Sequence, residues 1–304
     1  MAVGRFAPSP SGVLHLGNLC SSLLAWLDIR HDGGRLVFRM EDLDPDRSFE
    51  KYKTRIADDL KFLGLRWDSG YGIDGGYSQS ERTALYEEAF ELIRRKDLVY
   101  PCYCSRNQRL AASAPHEGEK HDSSCACRYL TPHERLNLEA SGKRPAWKIK
   151  VPDKTISFID EHYGKISENL SDSGDFIIKR SDGVFAYQLA VSYDDMTMGI
   201  DRVVRGRDLL SSTARQIFLI NELGGSAPGY CHCPLIAFPD GRKMSKRNGD
   251  LSMEVLREKY SSDEIIGYLA KLLGLSGGSP ISVDELIGGF SWDKIPHDNI
   301  ILNE

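Results

Sequence analysis

Residues 3–18 read Val3-Gly4-Arg5-Phe6-Ala7-Pro8-Ser9-Pro10-Ser11-Gly12-Val13-Leu14-His15-Leu16-Gly17-Asn18. The run Val3–Ala7 has the character of a short buried strand. Two prolines and a glycine follow, and proline cannot continue a hydrogen-bonded ladder, so the strand must break there. Leu16, Leu19, Leu23, Leu24 and Leu27 then recur at helical spacing to about Arg30. Gly33-Gly34 stops that helix. Leu36–Met40 reads as a second strand with Glu41-Asp42-Leu43-Asp44 at its C-terminal end, and a helix is expected from about Phe49 to Leu63. Strand, helix, strand in this order predicts a parallel sheet with right-handed crossovers. In such sheets ligands bind outside the carboxyl ends of the strands.

Working outward, a helix is expected from about Ser80 to Lys96, then a cysteine-rich insert at 100–130. Ala146–Val151, Phe176–Ile178 and Phe185–Val191 read as strands. Helical spacing returns at Leu209–Leu223, and a Gly-Arg-Lys loop occupies 241–247. Two further helical stretches are expected around 251–273. No internal repeat or low-complexity segment interrupts the chain.

The 304 residues carry 39 Lys and Arg against 44 Asp and Glu, a net charge of −5. This excludes a protein that grips nucleic acid by bulk positive charge. The charge is uneven. Residues 1–247 hold 35 basic and 34 acidic side chains, or +1, and the last 57 hold four and ten, or −6. No run of about 18 apolar residues suggests a membrane span, and the N-terminus lacks the pattern of a secretory signal. Six of the seven cysteines form Cys-x-Cys pairs: Cys102/Cys104, Cys125/Cys127 and Cys231/Cys233. Without a secretion signal such pairs favour metal or burial over disulfides. A cytoplasmic location and no membrane partner are expected.

Two motifs carry chemistry. In His15-Leu16-Gly17-Asn18, a glycine permits close approach of a ligand to the backbone. The helix N-terminus there supplies free N–H groups and a positive dipole end, which suit a phosphate. In Lys243-Met244-Ser245-Lys246-Arg247, two lysines flank a serine and can clamp a polyphosphate as charge develops. Each alone competes with a plainer reading, a helix start or a solvated basic loop.

Together, and in this order, they resemble the paired HIGH and KMSKS signatures of class I aminoacyl-tRNA synthetases. Arg5-Phe6-Ala7-Pro8-Ser9-Pro10-Ser11-Gly12 is similar to the opening of glutamyl-tRNA synthetases, and Arg39-Met40-Glu41-Asp42-Leu43-Asp44 to their second-strand motif. Phe185-Ala186-Tyr187-Gln188-Leu189-Ala190-Val191, Asp194-Asp195 and Val204-Arg205-Gly206-Arg207-Asp208-Leu209 resemble their amino-acid pocket region. The wording of Phe185–Val191 and of Arg205-Gly206-Arg207-Asp208-Leu209-Leu210, and the 57 residues after Arg247, resemble the truncated branch of the family, the glutamyl-Q tRNA(Asp) synthetases. These attach glutamate to the queuosine base of an anticodon.

The resemblance implies an α/β fold: a Rossmann-like class I catalytic domain, an inserted zinc-bearing subdomain and a short C-terminal helical tail. The expected divisions are 1–98 and 176–247 for the two catalytic halves, 99–175 for the insert, and 248–304 for a tail without an anticodon-binding domain. It implies ATP, Mg²⁺ and Zn²⁺ as cofactors, with L-glutamate and queuosine-containing tRNA(Asp) as partners of a monomer. His15, Lys243, Ser245 and Lys246 are the expected catalytic residues. His15, Gly17, Asn18, Lys246 and Arg247 are expected at ATP. Arg5, Ala7, Ser9, Glu41, Tyr187 and Arg205 are expected at glutamate. Forked guanidinium groups suit its carboxylates, and Glu41 its ammonium. Which arginine meets which carboxylate stays open.

Cys102, Cys104, Cys125 and Cys127 offer four thiolates from two short turns, which suit tetrahedral zinc. The truncated branch carries a tyrosine four residues before the last cysteine. Ser123 stands there, and Cys125 is expected to take over. His116 and His121 are possible ligands, against the plainer reading of solvated loop residues. Cys231, Cys233 and Cys20 read as small core residues. The alternatives to the leading reading are a truncated synthetase that charges the tRNA 3′ end, a synthetase-like binding module, and another nucleotidyl transferase.

Overall fold

The computed structural model describes residues 1–104, 125–238 and 252–302. Strand β1 (Val3–Phe6) pairs in parallel with β2 (Arg35–Phe38), and β2 with β3 (Ser69–Gly70). Helix α1 (Leu16–His31) makes the crossover. Its leucines at 16, 19, 23, 24 and 27 are all buried, because the helix is apolar on nearly every side and sits between the sheet and the C-terminal helices. Gly4 is what lets β1 lie so close to α1, since a Cβ there would meet Ile29 Cγ1 at 2.4 Å. Helices α2 (Glu50–Phe62) and α3 (Thr83–Arg95) follow.

The middle of the chain builds two sheets. Strands β4 (Val99–Cys102), β5 (Ala146–Ile149) and β8 (Phe176–Lys179) form an antiparallel sheet, and helix α4 (Pro132–Ala140) lies between β4 and β5 in sequence. A hairpin of β6 (Thr155–Asp160) and β7 (Gly164–Asn169) instead joins β9 (Arg202–Gly206) and β10 (Gly229–Cys233) in the order β7-β6-β10-β9. The side of β9 meets β1, where Val3 N donates to Asp201 Oδ1 (2.7 Å) and Asp201 N to Val3 O (3.0 Å). The carboxyl ends of β1 and β9 therefore open on one cleft.

One sequence expectation is corrected. Phe185–Val191 is not a strand. Only Phe185 keeps a single bridge to Lys179, and Tyr187–Thr197 is a helix, α5. A short apolar run does not distinguish a strand from a buried helix. Here no glycine or proline interrupts 187–197, and the helix buries Leu189, Ala190, Val191 and Tyr193 together with Asp194 and Asp195. Leu209–Leu223 divides into a 3₁₀ segment, Arg207–Ser212, and helix α6 (Thr213–Glu222). The tail holds α7 (Met253–Lys259) and α8 (Ser262–Leu272), and Ile265, Ile266 and Leu269 of α8 complete the core around α1. Among the described residues no helix is long and apolar enough to cross a membrane.

A buried charge cluster joins the two halves. Arg39, just beyond β2, is fully buried. Its Nη1 donates to Asp195 Oδ1 (2.6 Å) and its Nη2 to Glu41 Oε1 (3.0 Å), while Nε lies 3.7 Å from Asp194 Oδ2. Burial opposes the charge, but Asp195, Glu41 and Asp194 outweigh it and raise the pKa well above the ordinary arginine value. Asp194 also accepts from Arg82 Nε (2.7 Å), Gln79 Nε2 (2.9 Å) and Tyr86 Oη (2.9 Å). Removing one member leaves buried opposite charge uncompensated. Arg39→Met is expected to cost about 3–5 kcal/mol, read as a lower urea midpoint. An unchanged midpoint would show that the cluster does not hold the halves together.

Candidate active site

A cleft of about 540 Å³ lies over the ends of β1 and β9 and the N-terminus of α1. It is lined by Arg5, Ala7, Ser9, His15, Gly17, Asn18, Glu41, Tyr187 and Arg205, so every described residue expected at ATP or glutamate comes to this one place. A second cavity of about 400 Å³ adjoins it and shares Ser9, Glu41 and Tyr187. Lys243, Ser245, Lys246 and Arg247 lie outside the described residues, as do His116, His121 and Ser123. The flanks of that later segment are described. Strand β11 (Ile236–Ala237) pairs with β12 (Ile300–Ile301), and on the other side Ser252 bridges His15 and Met253 N donates to Leu14 O (2.8 Å).

The turn from β1 to α1 explains its own sequence. His15 is the N-cap residue, and its backbone N–H donates to Asn18 Oδ1 (3.4 Å), so Asn18 also caps the helix. A Cβ on Gly17 would lie 3.1 Å from His15 Cε1 and 3.2 Å from Nδ1. The glycine leaves room for the imidazole to lie over the helix start.

The deep end of the cleft is charged and buried. Arg5 donates from Nη1 to Val204 O (2.9 Å), and its Nε stands 3.6 Å from Asp195 Oδ1 without a hydrogen bond. Burial lowers its pKa, with Asp195 opposing the shift and the neighbouring Arg39 and Arg205 adding to it. Its positive charge is thus incompletely compensated, which suits an incoming carboxylate. Burial raises Glu41 above the usual carboxylate range, against the pull of Arg39 and Arg5. Burial, followed by the nearby Glu41, also raises the Tyr187 phenol, which stays protonated as a hydrogen-bond donor.

Arg205 is more constrained than its motif suggested. Nε donates to His232 Nε2 (3.0 Å), Nη1 to Gln216 Oε1 (2.6 Å), and Nη2 to Thr213 Oγ1 (2.8 Å) and Leu209 O (3.4 Å). Its guanidinium lies over the Tyr230 ring, 5.2 Å from the centroid. Behind it, His232 Nδ1 meets Asp160 Oδ2 at 2.5 Å. Sequence reasoning missed Asp160, His232, Thr213 and Gln216. The sequence held only partial signals, period-2 alternation in Thr155–Asp160 and a histidine between two cysteines at 231–233, and neither reveals the pairing.

The four cysteines of the insert also converge. Their sulfur atoms lie within 4.8 Å of one another, with Cys104 to Cys125 at 3.2 Å, Cys102 to Cys125 at 3.6 Å and Cys104 to Cys127 at 3.6 Å. Four thiolates around one zinc, each bonded at about 2.3 Å, would sit about 3.8 Å apart. The donor set fits a tetrahedral metal. Tyr103 N donates to Cys127 Sγ (3.4 Å). Arg128, the next residue, pairs with Asp175 (2.9 Å), which also accepts from Tyr100 Oη (3.0 Å) and Val151 N (2.9 Å). Cys20, Cys231 and Cys233 are buried in the core.

The model of the class I tRNA synthetase catalytic domain for Glu and Gln matches residues 1–289. The chain belongs to that family. It is 44% identical over 310 residues to the glutamyl-Q tRNA(Asp) synthetase of Symbiobacterium thermophilum, covering 99% of this chain and 95% of the relative. With that of Nitratidesulfovibrio vulgaris it is 44% identical over 282 residues, covering 90% and 87%. The crystal structure of a glutamate tRNA ligase from Elizabethkingia meningosepticum in complex with its amino acid superposes with a TM-score of 0.83 at 27% identity. That match covers 99% of this chain and 67% of the other. The protein is therefore an aminoacyl-tRNA-synthetase-like ligase with the class I fold.

Gly17→Ala is expected to push the His15 ring aside. Glutamate-dependent ATP–pyrophosphate exchange should fall about 10–100-fold, because small displacements at a reacting centre cost that much. The melting temperature should stay nearly constant. Full exchange activity in this variant would remove His15 from the reaction.

Proposed function

We propose that this ligase forms glutamyl-adenylate and transfers the glutamate to the queuosine base in the anticodon of tRNA(Asp). The observation that carries the activation half is the single cleft that holds Arg5, Glu41, Tyr187 and Arg205 beside the helix start with His15 and Gly17. The transfer half is supported by the names of the relatives it matches along nearly their whole length.

In this reading Arg5 and Arg205 take the carboxylates of glutamate through charge-assisted hydrogen bonds, Arg205 with its one remaining donor, Glu41 takes its ammonium, and Tyr187 adds a phenolic donor. Ala7 and Ser9 shape the turn beneath. ATP enters as the magnesium complex over the N-terminus of α1, where His15, Gly17 and Asn18 stand, and Lys246 and Arg247 bind its phosphates. The glutamate α-carboxylate is already a nucleophile at neutral pH and attacks the α-phosphorus, and pyrophosphate leaves. No general base is required, so positioning and charge carry the step. Lys243, Ser245 and Lys246 stabilise the charge that develops. A nucleophile on the queuosine base then attacks the acyl carbon, and AMP leaves.

The test pairs two assays. Exchange of pyrophosphate should proceed with glutamate and ATP alone, and labelled glutamate should pass only to tRNA that contains queuosine. Label on the 3′ adenosine would instead make the chain a truncated charging enzyme. Lys246→Ala is expected to lower kcat for exchange about 10–1,000-fold with little change in the KM for glutamate. An unchanged kcat would remove Lys246 from the transition state.

We further propose that Cys102, Cys104, Cys125 and Cys127 hold zinc in a structural role. Gently purified protein should contain about one equivalent, given the tight binding of such sites. Cys125→Ser should lose most of it. Less than about 0.2 equivalents in the unmodified protein would refute the site.

A further inference from the structure

We infer that Asp160 and His232 form a positioning pair that fixes the Arg205 guanidinium for glutamate by holding the His232 ring in one tautomer. The inference rests on the reading that Arg205 meets glutamate.

The geometry assigns the protons. Asp160 Oδ1 accepts three backbone N–H groups, from His162 (3.1 Å), Tyr163 (2.9 Å) and His232 (3.3 Å). Its Oδ2 meets His232 Nδ1. A carboxylate so surrounded stays ionised, and its pKa is lowered: burial opposes this, but the His232 bond and the backbone donors prevail. His232 Nδ1 must then carry the proton. On the far side of the ring, Arg205 Nε–H points at His232 Nε2 at 3.0 Å. Arginine has no acceptor, so Nε2 must offer its lone pair. The ring is therefore neutral and protonated on Nδ1. Burial, the first cause, together with Arg205 and Arg5, lowers its pKa against the pull of Asp160.

The arrangement reaches Arg205 from every side. With His232, Gln216 and Thr213 it engages four of the five guanidinium N–H groups, counting Leu209 O. Among the described residues one Nη1 donor has no hydrogen-bond partner. Arg205 is thus clamped in plane with one donor left over there. Were Nε2 to carry a proton, it would face Arg205 Nε–H donor to donor. Among the described residues its other contact is Thr213 Oγ1 at 3.4 Å, longer than the Arg205 bond and shared with Arg205 Nη2. The logic is that of the buried aspartate in a serine-protease triad, which sets the tautomer of its histidine. Here the histidine holds a substrate-binding cation in place of activating a nucleophile.

Asp160→Asn is the sharpest test. The three backbone donors hold the carbonyl oxygen of the new amide at the Oδ1 position. Its NH₂ then points at His232 Nδ1 and forces the proton onto Nε2. The side chain is isosteric and the three backbone contacts at Oδ1 are kept, so a role confined to holding that turn predicts little change. We expect the glutamate KM in the exchange assay to rise about tenfold or more, the scale of one charged hydrogen bond. The ATP KM should stay within about twofold. His232→Gln can place an amide oxygen near the Nε2 position, and it has no tautomer to set. In that background Asp160→Asn should add little. Equal effects of Asp160→Asn in both backgrounds, an unchanged glutamate KM, or equal shifts of both KM values would overturn the proposal.

Should the asparagine variant not fold, nitrogen NMR of the unaltered protein decides. His232 should show a protonated Nδ1 and a bare Nε2, and Nε2 should shift when glutamate is added. A protonated Nε2, or no response to glutamate, overturns the pairing. Arg205→Lys separates this from the underlying reading. An unchanged glutamate KM in that variant would sink the role of Arg205 at glutamate while leaving the His232 tautomer as assigned.

Discussion

The site depends on one buried cation. Arg39 sits just beyond β2, yet its partners come from α5, more than 150 positions later in the chain, and from Glu41 on its own strand's exit. A guanidinium in that position is tolerated only if carboxylates surround it. The same carboxylates then have work on both sides. Asp195 lies between Arg39 and Arg5, and Glu41 bonds Arg39 while lining the cleft. The walls of the cleft are thus set by a charge balance that neither half of the chain satisfies alone.

This also explains why helix α5 carries two adjacent buried aspartates, an arrangement that would be prohibitive in an apolar helix. Asp194 faces a set of donors from Gln79, Arg82 and Tyr86, and Asp195 faces the arginines of the strands. The two side chains divide the helix between scaffold and site. Specific contacts in the cleft stand on a rigid base, as a preorganised site requires.

Much of the first half was legible in the sequence because its signals are local. The proline break after β1, the leucine spacing of α1 and the glycine pair after it are each decided within a few residues. The candidate site residues of that half sit in the same local signals, and the structure brings them to one cleft. What stayed hidden depends on distant partners. Phe185–Val191 had no local feature to choose between strand and helix, and the choice was made by the burial of Tyr193, Asp194 and Asp195 one turn further on. The β6–β7 hairpin falls within the stretch read as an insert, but β6 runs parallel to β10 through Tyr230 and Asp160. Nothing near Asp160 in sequence reveals that its partner is His232. The flanking cysteines Cys231 and Cys233 read as small core residues, as the structure has them, and the histidine between them is passed over with them.

The carboxylate of Asp175 has a consequence outside the cleft. It receives Tyr100 from β4, the backbone of Val151 after β5, and Arg128 from the turn that carries Cys125 and Cys127. Thermodynamic linkage is reciprocal: whatever orders one side of such a junction orders the other by the same free energy. A metal held by the four sulfurs would therefore report on the β4-β5-β8 sheet. A substitution in β5 or β8 would shift the metal's dissociation constant, and chelation would in turn loosen those two strands, which contain no sulfur.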